Sequence, residues 1–217
     1  MPGNRTDLHI HSDFSDGHAS VENIIRHASG MRLDIIAIVD HFWPSLGSRK
    51  GGIGLIEERR RLLDNITDHY PKLKVLEGAE VDIMSDGTLA PVAGGLDQFN
   101  LVIGSVHWGS DSFLWSSAVA KAAATQSFDI LGHWDGYLTS FRKQHGEKVA
   151  KALADNEVAV ELSLRYEPVF EGFLEMARNY GCKFTLGSDS HGLSTIGKLH
   201  ELSQLAEALD LPLLEVP

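Results

Sequence analysis

The stretch Asp7-Leu8-His9-Ile10-His11 is the first apolar run of the chain, and it closes on two histidines two residues apart. Read as a β-strand, it alternates its side chains between faces, with Asp7, His9 and His11 on one side and Leu8 and Ile10 on the other. Both imidazoles can then grip one cation, while Asp7 behind them accepts an N–H and fixes a tautomer. Leu8 and Ile10 are left to face surrounding helices. A strand that ends in imidazoles raises the question of whether the pattern recurs.

It recurs along the whole chain. Short runs rich in Ile, Val and Leu at 33–39, 74–80, 101–107, 129–133, 158–162 and 183–187 alternate with longer amphipathic segments at 20–29, 55–69, 114–125, 147–155, 169–179 and 197–209. Strands apolar on both faces, each followed by a helix, read as parallel βα units. About seven such units in 217 residues predict an α/β fold, a closed or nearly closed barrel forming a single domain over residues 1–217. A doubly wound open sheet is the alternative.

Six of the 11 histidines (His9, His11, His41, His107, His133 and His191) fall at or just beyond the C-terminal ends of these runs. In parallel barrels that rim is where βα loops assemble active sites. Asp189-Ser190-His191 repeats the same-face spacing after the last strand. Glu80 ends a run in which Gly78 permits close backbone approach, and its two oxygens can bridge neighbouring ions. Asp16 sits in the turn sequence Ser15-Asp16-Gly17, where an Asx-turn role competes with a ligand role. Imidazole mixed with carboxylate suits Zn²⁺, Mn²⁺ or Fe²⁺, and ligand type does not separate these.

The run Asp7-Leu8-His9-Ile10-His11-Ser12 resembles the first motif of the polymerase and histidinol phosphatase (PHP) superfamily. Further matches follow in order: Val39-Asp40-His41, Gly78-Ala79-Glu80-Val81-Asp82, Ser105-Val106-His107, Leu131-Gly132-His133 and Ser188-Asp189-Ser190-His191. The resemblance spans nearly the whole chain and implies a distorted seven-stranded, TIM-like β/α barrel with a trinuclear metal site. On it, His9, His11, Glu80 and Asp189 would hold the first ion, and Glu80 would bridge to a second completed by His107 and His133. Asp16, His41 and His191 would hold the third, with His18 the alternative to Asp16. The resemblance further implies hydrolysis of phosphate esters by a metal-held hydroxide, with up to three divalent ions and Asp7 behind the ligands.

Three functions compete on this reading. One is a phosphomonoesterase, histidinol-phosphatase-like, although the chain is short for the dedicated enzymes. Another is a 3'–5' exonuclease or phosphodiesterase, since Glu80-Val81-Asp82-Ile83 with Ser85-Asp86-Gly87 resembles PHP modules attached to family X polymerases. The third is a non-catalytic scaffold, whose mark would be degenerate ligands; here the set is full.

Composition narrows the partners. A formal charge of −11 argues against a broad footprint for long nucleic acid. A small phosphorylated substrate stays compatible, because bound ions reverse the local sign. The single cysteine, Cys182, fits a reducing compartment. No apolar h-region follows Met1 and no apolar run is long enough for a bilayer, so a cytoplasmic protein without a membrane partner is expected. Glu58-Arg59-Arg60-Arg61 reads as one solvated helix face. Arg165, after the sixth strand, could clamp a phosphate through paired hydrogen bonds. The loop Ser45 to Gly54 could cover substrate, and Trp43, Trp108 and Trp134, each close behind a histidine, could wall the pocket.

Overall fold

The computed structural model describes residues 5–42, 51–125 and 127–215. Seven strands pair in chain order, all parallel: β1 (Thr6–Ile10), β2 (Ile35–Asp40), β3 (Lys74–Asp82), β4 (Leu101–Ser105), β5 (Ile130–Leu131), β6 (Ala159–Ser163) and β7 (Phe184–Gly187). The last meets the first just past its end. His11 N–H donates to the Ser190 carbonyl at 2.9 Å, and Ser190 N–H to the His9 carbonyl at 3.3 Å. The sheet is therefore a distorted, nearly closed barrel rather than an open one. In the described residues six helices surround it: α1 (Val21–Gly30), α2 (Ile53–Thr67), α3 (Ser112–Thr125), α4 (Lys143–Asp155), α5 (Gly172–Tyr180) and α6 (His200–Ala208). Among the described residues, no helix is long and apolar enough to cross a membrane.

Two apolar layers hold the barrel. The inner one consists of strand residues alone, Leu8, Ala37, Val39, Leu76, Leu101, Ile103, Ile130 and Ala159. The outer one joins the other strand face to the helices, as in α1, where Val21, Ile24, Ile25 and Ala28 form one buried stripe. Ser20 caps that helix by accepting the Asn23 N–H. The inner space is tight. A Cβ on Gly78 would stand 2.6 Å from Val39 Cγ1 and 2.7 Å from the Leu101 carbonyl oxygen, so the close approach expected of this glycine is real.

Two expectations for β1 and α2 are corrected. In β1 the register shifts between Asp7 and Ile10, which pair with Ile36 and Ile38 of β2. Two residues of β1 therefore face one of β2, and strict alternation breaks at the bulge. Leu8 joins the inner layer instead of facing helices, and Asp7 shares its side of the sheet with Ile36 of the outer layer. In α2, Arg59 is not solvated: it is 0% exposed and pairs with Asp40 at 2.8 Å. β5 is also shorter than the run at 129–133, and past its end the backbone at His133 turns to φ +21°.

Candidate metal centre

The C-terminal ends of the strands deliver a dense group of imidazoles around one carboxylate. Glu80, on β3, is 1% exposed. Its Oε2 lies 3.2 Å from His9 Nε2 and 3.3 Å from both His11 Nε2 and His41 Nε2. Its Oε1 lies 3.0 Å from His133 Nε2 and 3.5 Å from His107 Nε2. Beside them Asp189 Oδ1 stands 3.4 Å from His11 Nε2, and Asp16 Oδ2 2.9 Å from His191 Nε2. All nine residues expected as ligands come together. His18 does not; its side chain is exposed, while Asp16 turns into the cluster.

Whether these donors suit a cation can be judged from their arrangement. His9 Nε2 and His11 Nε2 point at each other across 3.1 Å, close enough for both to serve one cation. Buried His11 Nδ1, His41 Nδ1, His133 Nδ1 and Asp16 Oδ1 have no hydrogen-bond partner, which is costly in a dry site. Donor atoms approach within 4.8 Å of one another in four groups: His9–His11–Glu80, His11–Asp16–His41, His11–Asp189–His191 and His41–Glu80–His107. The donor set fits divalent transition ions.

A further layer of carboxylates orients the imidazoles. His9 Nδ1 lies 2.7 Å from Glu161 Oε1, and His107 Nδ1 lies 2.6 Å from Asp82 Oδ1. An Nδ1–H donated outward leaves the Nε2 lone pair facing the site. Glu161 also accepts the backbone N–H of His133 through Oε2 at 2.8 Å. A Cβ on Gly187 would collide with that carboxylate, so only glycine leaves room for it. Asp7, by contrast, accepts backbone N–H groups, those of Ser188 at 2.9 Å, Gly197 at 2.8 Å and His9 at 3.4 Å, and its carboxylate bonds to no imidazole ring. The tautomer role expected of Asp7 belongs to Glu161, since the β1 bulge carries Asp7 to the outer face.

Charge is distributed unevenly. Burial opposes ionisation throughout, yet the surrounding imidazoles hold Glu80 well below the usual carboxylate range and lower Asp189 too. Against the same burial, hydrogen bonds to Asp189 and Glu80 raise His11 to about 9, whereas burial dominates at His41 and lowers it to about 4. His41 is thus neutral at pH 7, while His11 must surrender a proton before one of its nitrogens has a lone pair for a cation.

Strained backbone coincides with the cluster. His133 and Asp189 adopt positive φ, +21° and +49°, a region that side chains other than glycine seldom enter. A cavity of about 140 Å³ opens on the group and is completed by Tyr137, Arg165 and Tyr166. The tyrosine rings pack on His107 and His133, and their hydroxyls lie 3.4 Å apart. Arg165 is exposed and donates from Nη1 to His191 Nδ1. A larger hollow of about 740 Å³ lies at the opposite end of the barrel, between Arg5, Arg32 and Lys72, but no histidine lines it.

Tyr137, Tyr166, Asp82 and Glu161 were not expected as parts of the site. Glu161 had a visible signal, a lone carboxylate inside the apolar run 158–162. The tryptophans go elsewhere: Trp134 is buried against Phe173, and Trp108 donates to the Ile83 carbonyl at 2.8 Å. Trp43 and most of the loop Ser45 to Gly54 lie outside the described residues.

Comparison with known proteins agrees with this geometry. The PHP domain family model matches residues 7–165. A probable phosphatase of Aliivibrio fischeri (strain MJ11) is 26% identical over 228 residues, covering 96% of this chain and 86% of that protein. The DNA polymerase/3'-5' exonuclease PolX of Bacillus subtilis (strain 168) is 23% identical over 202 residues, or 88% of this chain. The match spans only 35% of the length of that relative. The histidinol phosphate phosphatase of Lactococcus lactis subsp. lactis Il1403, solved with zinc, L-histidinol and phosphate, has the same fold. It superposes with a TM-score of 0.74 at 18% identity, covering 97% of this chain and 95% of that one.

Proposed function

The chain belongs to the PHP domain family, and from that premise we propose that it is a metal-dependent phosphoesterase acting on small phosphomonoesters. The observation that carries the reading is the convergence of five imidazoles on the two oxygens of Glu80. His9, His11, Glu80 and Asp189 would hold one ion, Glu80 with His107 and His133 a second, and Asp16, His41 and His191 a third. Zn²⁺, Mn²⁺ or Fe²⁺, when bound, supplies Lewis acidity toward phosphoryl oxygens and acidifies water. The reading takes the 217 residues as one catalytic domain, because the ligand set runs from His9 in β1 to His191 after β7.

The residues of the chain have defined parts in this proposal. Glu161 and Asp82 keep the Nε2 atoms of His9 and His107 turned inward. Tyr137 and Tyr166 form the wall on which the leaving group rests, and Arg165 meets the phosphate from the rim. The small cavity and the net charge of −11 favour a small phosphate ester over long nucleic acid. A phosphodiesterase is the second reading, favoured by the likeness to PolX over 88% of the chain.

A screen of the metal-reconstituted protein against phosphomonoesters, diesters and single-stranded DNA tests the proposal. Monoesters, histidinol phosphate among them, should be turned over fastest. Efficient processive degradation of the DNA would instead establish the phosphodiesterase, and inactivity on every ester with metals bound would leave a scaffold.

Arg165→Lys tests the phosphate contact. Lysine keeps the charge but lacks the planar two-donor fork, so kcat/KM should fall by roughly 1.5–3 kcal/mol in transition-state binding while metal content stays unchanged. Wild-type kinetics in both Arg165→Lys and Arg165→Ala would return the residue to the ordinary surface.

A further inference from the structure

Arg59 touches none of the clustered imidazoles, yet it is 0% exposed, as buried as any described residue. Nη1 donates to Asp40 Oδ2 at 2.8 Å and to the Ile38 carbonyl at 3.3 Å. Nη2 donates to the Gly78 carbonyl at 2.6 Å, and Glu77 Oε1 lies 3.7 Å away. The guanidinium also stands over Phe42, 4.5 Å from the ring centroid. Burying such a pair costs desolvation that its attraction need not recover, so stability alone is a poor reason for it to be there.

The remaining bonds of Asp40 suggest another reason. Its Oδ1 accepts the Ser12 backbone N–H and the Ser15 hydroxyl, both at 2.7 Å, and its Oδ2 accepts the Ser12 hydroxyl at 2.7 Å. Ser12 follows His11, Ser15 precedes Asp16, and Asp40 itself precedes His41. One carboxylate, fully satisfied, therefore holds the backbone beside three residues of one donor group, His11–Asp16–His41. Arg59 reaches it from α2 because Asp40 faces the helix layer, as its register partner Ala79 does.

We propose that the Arg59–Asp40 pair positions Asp16 and His41 to take the third ion, Arg59 orienting Asp40 and Asp40 holding the 12–15 turn that leads into Asp16. This rests on the reading of the cluster as a metal site. Arg59 and Asp40 bond nothing beside His107 or His133, so the effect falls mainly on the third ion and reaches the others only weakly, through Ser12 beside His11 and Gly78 in the strand of Glu80.

Calorimetric titration of Zn²⁺ into metal-free wild type, Arg59→Met and Ser15→Ala, with circular dichroism to record folding, tests it. Arg59→Met removes the charge that orients Asp40; Ser15→Ala removes one hydroxyl bond and keeps the ion pair. In Arg59→Met one class of site should weaken by about 10–100-fold, the usual cost of losing a group that orients ligands, while the others weaken distinctly less. Ser15→Ala should weaken the same class by less. Unchanged isotherms overturn the proposal, and so does a parallel loss at every site in step with unfolding, which marks a merely structural pair. If Arg59→Met does not fold, Ser15→Ala decides alone: a wild-type isotherm overturns the proposal and selective weakening supports it. Wild-type protein that takes up no Zn²⁺ defeats the metal-site reading itself, a result distinct from all of these.

Discussion

Glu80→Ala should reduce phosphoester hydrolysis by at least about a thousandfold, equivalent to roughly 4 kcal/mol at 1.36 kcal/mol per tenfold. The size follows from the number of partners lost at once. Both carboxylate oxygens are used, Oε2 by His9, His11 and His41 and Oε1 by His107 and His133. Replacement of His107 would remove one donor from one group; replacement of Glu80 removes the anion common to two of them. Elemental analysis of the variant should accordingly show the loss of more than one ion per chain. Wild-type turnover in a folded Glu80→Ala protein would sink the assignment.

The same variant carries a pH signature in the metal-free state. His11 is raised to about 9 from an ordinary value of 6.5, against its burial, through bonds to Asp189 and Glu80. A histidine whose folded value is raised stabilises the fold fully below pH 6.5, and that contribution is lost as pH rises through about 9. Removing Glu80 should therefore lower the melting temperature of the metal-free protein more at pH 6 than at pH 9.5. An equal loss at both pH values would mean that Glu80 acts there through packing alone.

The barrel and most of the site were legible in the sequence because each informative signal was local. Apolar runs announced strands, and histidines at their ends announced the rim. What escaped depended on pairing between distant segments. The bulge in β1 exists only relative to β2, and it moves Asp7 to the outer face. Arg59 was hidden in a run of arginines, and its partner Asp40 stands 19 residues earlier. Helical spacing did hold a clue, because Ile56, Arg59 and Leu63 form the buried stripe of α2. Tyr137 and Tyr166 lie in loops without periodicity, so nothing in their neighbourhood marked them as part of the wall.

Glu161→Gln should weaken zinc affinity about 10–100-fold and lower activity with it, although the new side chain has nearly the same shape. The reason lies in what the two carboxylate oxygens accept. Oε1 faces His9 Nδ1 at 2.7 Å and Oε2 faces the backbone N–H of His133 at 2.8 Å, two donors that a carboxylate satisfies together. Glutamine has one acceptor and one donor end. If its oxygen takes the His133 N–H, its NH₂ must donate to His9 Nδ1, which moves the ring proton to Nε2 and removes the lone pair aimed at Glu80 and His11. If its oxygen takes His9 Nδ1–H, the NH₂ faces another N–H, at a residue whose backbone is already held at φ +21°. Either orientation damages a donor, at His9 in β1 or at His133 after β5. Competition with a chromogenic chelator reads the affinity directly, and Glu161→Asp, which keeps two acceptors on a shorter stem, should recover part of it. Wild-type affinity in the glutamine variant would show that the tautomer of His9 is set by some other group.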